Sequence, residues 1–238
     1  MILIFVGGFV AAHLSHPPLI QGAGVAPFTV QQITHRTAGE NDPTEVFGST
    51  FARRGDGSWS YAVSRSSADG VGGRMLEYVD MQRLISARSE PMTQSIMTFH
   101  LSAAELRTDW AAGFAACGEL KIEEGSQRST ILGFDVVRVV NDDEFGKEVK
   151  WVAPALDCYP LDSAFTGPHG ERTTEAVTNV QQAEPSTGLF VPPAGYVERA
   201  PREIQALYAE IGSRTKFLPD DVLDLVEKRY QAHRTPPQ

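Results

Sequence analysis

The feature that most constrains this chain is a two-residue alternation of side-chain character that recurs between turn signals. Trp59, Tyr61 and Val63 alternate with Ser58, Ser60, Ala62 and Ser64. Successive side chains of a strand point to opposite faces, so this spacing predicts a strand with one apolar face. Asp56-Gly57 just before it is a short-range hairpin signal. "PFTVQQITHRT" (27 to 37) and "EVFGSTFARR" (45 to 54) read as two earlier strands, and "SSADGVGG" (66 to 73) as a turn. "RMLEYVDMQRLISAR" divides into two short strands near Asp80, and "EPMTQSIMTFH" adds another. Turn signals spaced by about 8 to 15 residues predict an antiparallel meander.

One helix start interrupts the strands. "LSAAEL" (101 to 106) holds a capping box, with Ser102 as N-cap and Glu105 at the third helical position. Leu101 and Leu106 stand where a hydrophobic staple needs them. Leu106, Trp110 and Phe114 then form one apolar stripe, predicting a helix over 102 to 116 that ends near Cys117-Gly118.

Strands resume with the β-branched "STILGFDVVRVV" (129 to 140), read as one strand, and "FGKEVKWVA" follows across "NDDE". In "EVKWVAPALDCYPLDSAF" (148 to 165) Val149, Trp151 and Ala153 alternate with Lys150 and Val152. The pattern breaks at Pro154, passes Cys158 and resumes after Pro160. "LDSAFTG" and "RTTEAVTNVQQAE" predict a hairpin around "GPHGE", and "PSTGLFVPPAGYVER" reads as an extended tail. Two short amphipathic helices close the chain, one carrying Ile204, Leu207, Tyr208 and Ile211, the other beginning at "LPDDVLDL". They either cap the sheet or dock onto a partner.

The 238 residues divide into 1–26, a signal peptide or N-terminal anchor, 27–200, the sheet domain, and 201–238, a helical extension. "MILIFVGGFVAA" is apolar and too short for a membrane span, which needs about 20 residues. Its length fits the apolar part of a signal peptide, and "QGAGVAP" offers small residues for cleavage. If uncleaved, it associates the protein with a membrane; the other reading is a buried strand. The formal net charge of -9 argues against nucleic-acid binding, which needs a basic face. In an exported chain the two cysteines, Cys117 and Cys158, pair as a disulfide; otherwise they are buried thiols.

Catalytic patterns are not found. The six histidines make no H-E-x-x-H, no C-x-x-C is present, and no G-x-S-x-G marks a nucleophile. "GVGG" lacks the residues of a phosphate loop. Asp142, Asp143 and Glu144 read as a solvated turn. The expectation is a non-enzymatic protein without cofactor or metal. What remains is apolar surface on strands and helix, namely Trp59, Tyr61, Met97, Phe99, Trp110, Phe134 and Trp151. These either form an ordinary core or line a site for an apolar ligand.

"YVDMQRLISARSEPMTQSIMTFHLSAAEL" resembles the middle of LolA-like and LppX-like bacterial envelope proteins. There a strand carrying an Asp is followed by a strand, a Pro-containing turn, another strand and a helix. "TILGFDVVRVV" followed by "EVKWVAPALDCYPLDSAF" is similar to their later half. The resemblance spans roughly residues 28 to 198. It implies a mainly β, α+β fold, a strongly curved antiparallel sheet forming a half-open barrel, with a central helix across it. It also implies that "APALDCYPL" is a hairpin turn stapled through Cys158 to Cys117. The function it implies is an exported, periplasmic protein holding a lipid or other apolar ligand in the concave face. The alternative is a structural or assembly subunit of an envelope complex, with a filled sheet interior and the C-terminal helices meeting the partner.

Overall fold

A computed structural model describes residues 26–39, 42–65, 73–109, 117, 126–213 and 216–235. The first half is a meander: β1 (Phe28–Thr37), β2 (Glu45–Arg53), β3 (Trp59–Arg65), β4 (Gly73–Asp80), β5 (Ile85–Glu90) and β6 (Ser95–His100). A helix, α1 (Ala103–Asp109), separates it from β7 (Arg128–Ile131), β8 (Phe134–Asp143), β9 (Gly146–Ala153), β10 (Tyr159–Thr166) and β11 (Arg172–Gln181). A short β12 (Val197–Glu198) precedes α2 (Pro201–Glu210) and α3 (Asp220–His233). All twelve strands join one curved, unclosed sheet in the order β12-β6-β5-β4-β3-β2-β1-β11-β10-β9-β8-β7. Neighbours are antiparallel except β12, which runs parallel to β6. No described helix is long and apolar enough to cross a membrane.

The predicted meander is present. At Asp56-Gly57 the turn closes through Gly57 at φ 89°, a region that favours glycine. One reading needs correction: residues 129–140 are two strands. Leu132 (φ 51°) and Gly133 (φ 83°) form a two-residue turn, and Ile131 pairs with Phe134. Leucine is unusual at positive φ, so the apolar run hides the turn.

The α1 start forms as read. The Glu105 N–H donates to Ser102 Oγ at 3.2 Å, and the Ser102 N–H donates to Glu105 Oε2 at 2.7 Å. Leu101 and Leu106 are buried in one cluster. The predicted stretch beyond Asp109, with Trp110 and Phe114, lies outside the described residues, as do the N-terminal segment and the turn at 66–72.

Cys117 and Cys158 are bonded, with Cα atoms 5.0 Å apart. Cys158 is buried with Val137, Val139 and Val152, so the bond fixes the chain after α1 to the β9–β10 turn. That turn is a 3₁₀ segment, Pro154–Leu156, followed by left-handed Asp157 and Cys158.

The tail between β11 and β12 is a strap across the sheet. Phe190 is buried with Ala52, Ala62, Leu76 and Tyr78. These residues alternate with Phe51, Tyr61 and Glu77, so the strap and the C-terminal helices take opposite faces. The Arg54 guanidinium stacks over the Phe190 ring at 3.9 Å, and Arg83 donates to the Phe190 carbonyl at 2.9 Å. Asp80 sits under this corner, accepting from the Gln82 and Arg83 backbones and from the Arg83 side chain at 2.7 Å.

Two outcomes test this packing. The double change Cys117→Ser and Cys158→Ser lowers stability by up to about 4 kcal/mol, the chain-entropy value for a loop of this size, read as a lower urea midpoint with the strand circular dichroism retained. Phe51→Ala costs about 3–5 kcal/mol, whereas the exposed Phe145→Ala stays within about 0.5 kcal/mol of the parent in the same titration.

Candidate functional site

Cross-strand pairing lines up two rows on the sheet face that the helices meet. One runs Phe28–Arg53–Trp59–Val79–Ser86–Phe99. The next runs Val180–Val30–Phe51–Tyr61–Glu77–Arg88–Met97. The rows place four expected ligand residues, Trp59, Tyr61, Met97 and Phe99, on one surface. Their surroundings differ.

Met97 and Phe99 lie under helices. They are buried with Leu106, Ile204, Tyr208, Phe217, Leu218, Leu223 and Tyr230. Phe99 meets Tyr230 edge-on at 5.8 Å between ring centres, and Tyr208 meets Phe217 at the same distance. The C-terminal helices therefore close this half of the face with their own apolar sides. Their separation into an extension at 201 is not a separation in space.

The other half is built on a stack of aromatic rings. Phe51 lies parallel to Tyr159 at 4.8 Å and to Trp59 at 6.4 Å, while Phe28 packs edge-on to Tyr159 at 5.6 Å. Phe28, Phe51 and Tyr159 are fully packed. Around them Trp59, Tyr61, Ile131, Phe134, Trp151 and Val180 are only half-buried. No described α-helix contributes to this cluster. The sequence pattern points to Trp59, Tyr61, Phe134 and Trp151 in it. It does not single out Phe28 or Phe51, which the alternation of β1 and β2 could have marked, or Tyr159, which opens β10. Trp110, the seventh expected residue, is outside the described part of the chain.

Polar groups thread the same surface. The Tyr159 hydroxyl donates to Gln32 Oε1 at 2.8 Å, and both are buried. Burial pushes the Tyr159 hydroxyl far above its ordinary range, with Glu175 and Tyr61 adding to the rise. Glu77 pairs across β4–β5 with Arg88. Burial raises its carboxyl, and the Arg88 charge offsets part of that rise. Glu175 is raised for the same reason, opposed by Lys150. Asp80, on the opposite, strap-covered face, behaves oppositely. Burial raises it, but the hydrogen bonds and charge of Arg83, with the Gln82 backbone, outweigh burial and hold it low.

Among the described residues no three His, Cys, Asp or Glu gather as metal ligands. Open depressions mark the described surface. One, of about 520 Å³, lies at the β8–β9 hairpin, and another, of about 450 Å³, lies between β12 and α2.

Glu77 sets a pH dependence whose sign follows from its raised folded-state value. The folded protein binds more protons than the unfolded chain above the ordinary carboxylate range, so stability falls as pH rises through the raised value. Glu77→Gln flattens that fall and Arg88→Ala steepens it, measured by urea unfolding at a series of pH values.

No family model matches the chain, and no curated protein matches it. Among solved structures it is similar to a LolA superfamily protein from Nitrosomonas europaea, at 10% identity over 70% of this chain and 90% of that one, with a TM-score of 0.33. It is similar to an outer membrane lipoprotein-sorting protein domain from Vibrio parahaemolyticus, at 11% identity over 67% of this chain and 86% of that one, TM-score 0.31. MucB is similar at 13% identity over 71% of this chain, TM-score 0.39, and the chain spans 58% of MucB. The likeness is one of fold, an open curved antiparallel sheet with helices, and that architecture rests here on the strand order described above.

Proposed function

We propose that this is a non-catalytic, exported envelope protein that holds an apolar ligand, an acyl chain first of all, against the Trp59–Tyr61–Phe134–Trp151 strip. The observation that carries the reading is that this strip is only partly buried beside an aromatic stack, and that Tyr61, Phe134 and Trp151 border a cluster to which no described α-helix contributes, while Trp59 also borders the helix-covered cluster. Burying an acyl chain there gains about 0.8 kcal/mol per CH₂. Stacked rings supply a flat floor that loses little entropy on contact. The Cys117–Cys158 bond supports an oxidising compartment, and hence export.

A second reading has its own observation. The half of the face over Met97 and Phe99 is filled by the protein's own helices, as a structural or assembly subunit requires. Ile211 and Leu225 remain exposed on those helices, where a partner could meet them. Removing residues 201–238 would strip the cover from Met97 and Phe99, so substitutions on the outer helix surface separate the readings better than truncation.

Palmitate titrated against the tryptophan fluorescence of the purified protein tests the first reading. Trp151→Ala and Tyr61→Ala each weaken binding about tenfold, equivalent to about 1.4 kcal/mol, and the exposed Lys216→Ala leaves it unchanged. Equal affinity in all three variants, or no binding by any, overturns it. If instead Leu225→Arg abolishes cross-linking to an envelope protein while palmitate has no effect, the second reading stands.

A further inference from the structure

Beside the aromatic strip the same sheet face turns polar. One step along the strands from Val30–Phe51–Tyr61, the ladders bring Gln32 and Ser49 into a row between Val177 and Val63. One step further, Thr34 stands between Glu175 and Phe47. Alternate residues of a strand share a face, so Gln32 and Thr34 follow Val30 on β1, and Ser49 precedes Phe51 on β2. The three polar side chains are deeply buried: Gln32 and Ser49 are each 6% exposed and Thr34 is 1% exposed. They lie at and just beyond the register slip at Gln31/Gln32.

Gln32 is paired, since its Oε1 accepts from the Tyr159 hydroxyl at 2.8 Å. The two hydroxyls are not. Ser49 Oγ and Thr34 Oγ1 are buried, and among the described residues no group completes a hydrogen bond to either. Thr34 and Ser163 approach the Glu175 carboxyl and oppose the rise that burial gives it, but Thr34 Oγ1 stops short of hydrogen-bond geometry. An unpaired buried hydroxyl destabilises a fold, and native interiors hold few of them. Here two occur as diagonal neighbours across β1 and β2, a separation of about 7–8 Å. One molecule with two polar atoms a few bonds apart can reach both, while its apolar part lies on the adjoining strip.

The groups on offer are two hydroxyls and a carboxamide, which match an ester or an alcohol. The described cations around them already face acids. Arg36, next on the same side of β1, is paired with Glu45 across β1–β2. Arg88 is opposite Glu77, and Lys150 is bound to Glu148 at 2.9 Å. Glu175 adds a further carboxyl beside Thr34. An ionised carboxylate or phosphate would compete with an acid for each of these cations, and burying it without a partner is costly. We propose that Gln32, Ser49 and Thr34 seat the head of an acyl-bearing ligand, and that this head is uncharged, an ester with a neighbouring hydroxyl, its chain running over Tyr61 onto the strip. This rests on the acyl-chain reading, which leaves the head group open.

The test uses the full chain and two probes with one chain length, 1-lauroylglycerol and laurate, titrated against tryptophan fluorescence at about pH 8, where the laurate carboxyl is ionised. Lauroylglycerol binds about tenfold more tightly than laurate, the worth of one or two net hydrogen bonds. Ser49→Ala and Thr34→Val each weaken lauroylglycerol about threefold or more and leave laurate unchanged. Trp151→Ala weakens both probes alike. In the ligand-free protein neither hydroxyl variant lowers the urea midpoint, because each removes an unpaired group. A lower midpoint in either variant shows that the chain or a buried water already pairs that hydroxyl, and overturns the proposal. Equal affinity for the probes, tighter binding of laurate, or a gap that both hydroxyl variants leave intact overturns the head-group assignment while the acyl-chain reading stands. Binding of neither probe overturns both.

Discussion

β1 and β11 lie at opposite ends of the sheet-forming sequence and pair from Thr29↔Gln181 to Thr37↔Arg172. Every other antiparallel neighbour is a hairpin partner in sequence, so this ladder alone makes one sheet from two meanders. It is also where the backbone departs from regularity. The register slips at Gln31/Gln32, and a second slip occurs at Pro160/Asp162 on β10. Bulges bend and twist a strand, so two of them near the seam help curve the sheet. The aromatic stack of Phe28, Phe51 and Tyr159 sits over the same seam. The buried hydroxyl–amide bond from Tyr159 to Gln32 spans it. Leaving either group unpaired would cost about 1–3 kcal/mol. The seam is thus fixed by backbone, packing and polar pairing together.

That seam divides the helix-facing surface into parts with different fates. On the β4–β6 side the chain supplies its own cover through α2 and α3, and large side chains of sheet and helices interlock. On the side of β1, β2 and β10 the most central rings are equally well packed, yet the surrounding aromatic and aliphatic groups are only partly buried. Among the described residues, a sheet face of one composition becomes a helix-covered core in one half and a partly buried apolar strip in the other. The buried charges follow the same geography. Glu77 with Arg88 and Glu175 near Lys150 lie on the sheet between apolar residues, and burial raises both carboxyls. They are costly where they stand, partly compensated by a neighbouring cation.

Much of the architecture was legible because it is local. The alternation at Trp59–Val63, the Asp56-Gly57 turn, the capping box at Ser102 and the apolar spacing of Ile204, Leu207 and Tyr208 are each short-range patterns, and each yields its element. The one strand misread, 129–140, failed for a local reason as well, since its turn uses a leucine at positive φ. The strap ending in Phe190 was read only as an extended tail, because its order comes from contacts with Arg54, Arg83 and Tyr78 far away in sequence.

The candidate site shows where local pattern stops. Seven apolar residues share one character in the sequence, and nothing in their spacing separates Met97 and Phe99 from Trp59, Tyr61, Phe134 and Trp151. Only the docking of α2 and α3, more than a hundred residues downstream of Met97, makes the first pair a core. The same holds for Gln32 and Tyr159, whose hydrogen bond joins β1 to β10. Sequence by itself determined most of the strands and turns, the helix starts and the acidic charge, because neighbouring residues decide backbone conformation and side-chain direction. Tertiary structure decided which apolar residues the chain's own helices cover and which, among the described residues, stay only partly buried, because burial is a property of the elements that meet.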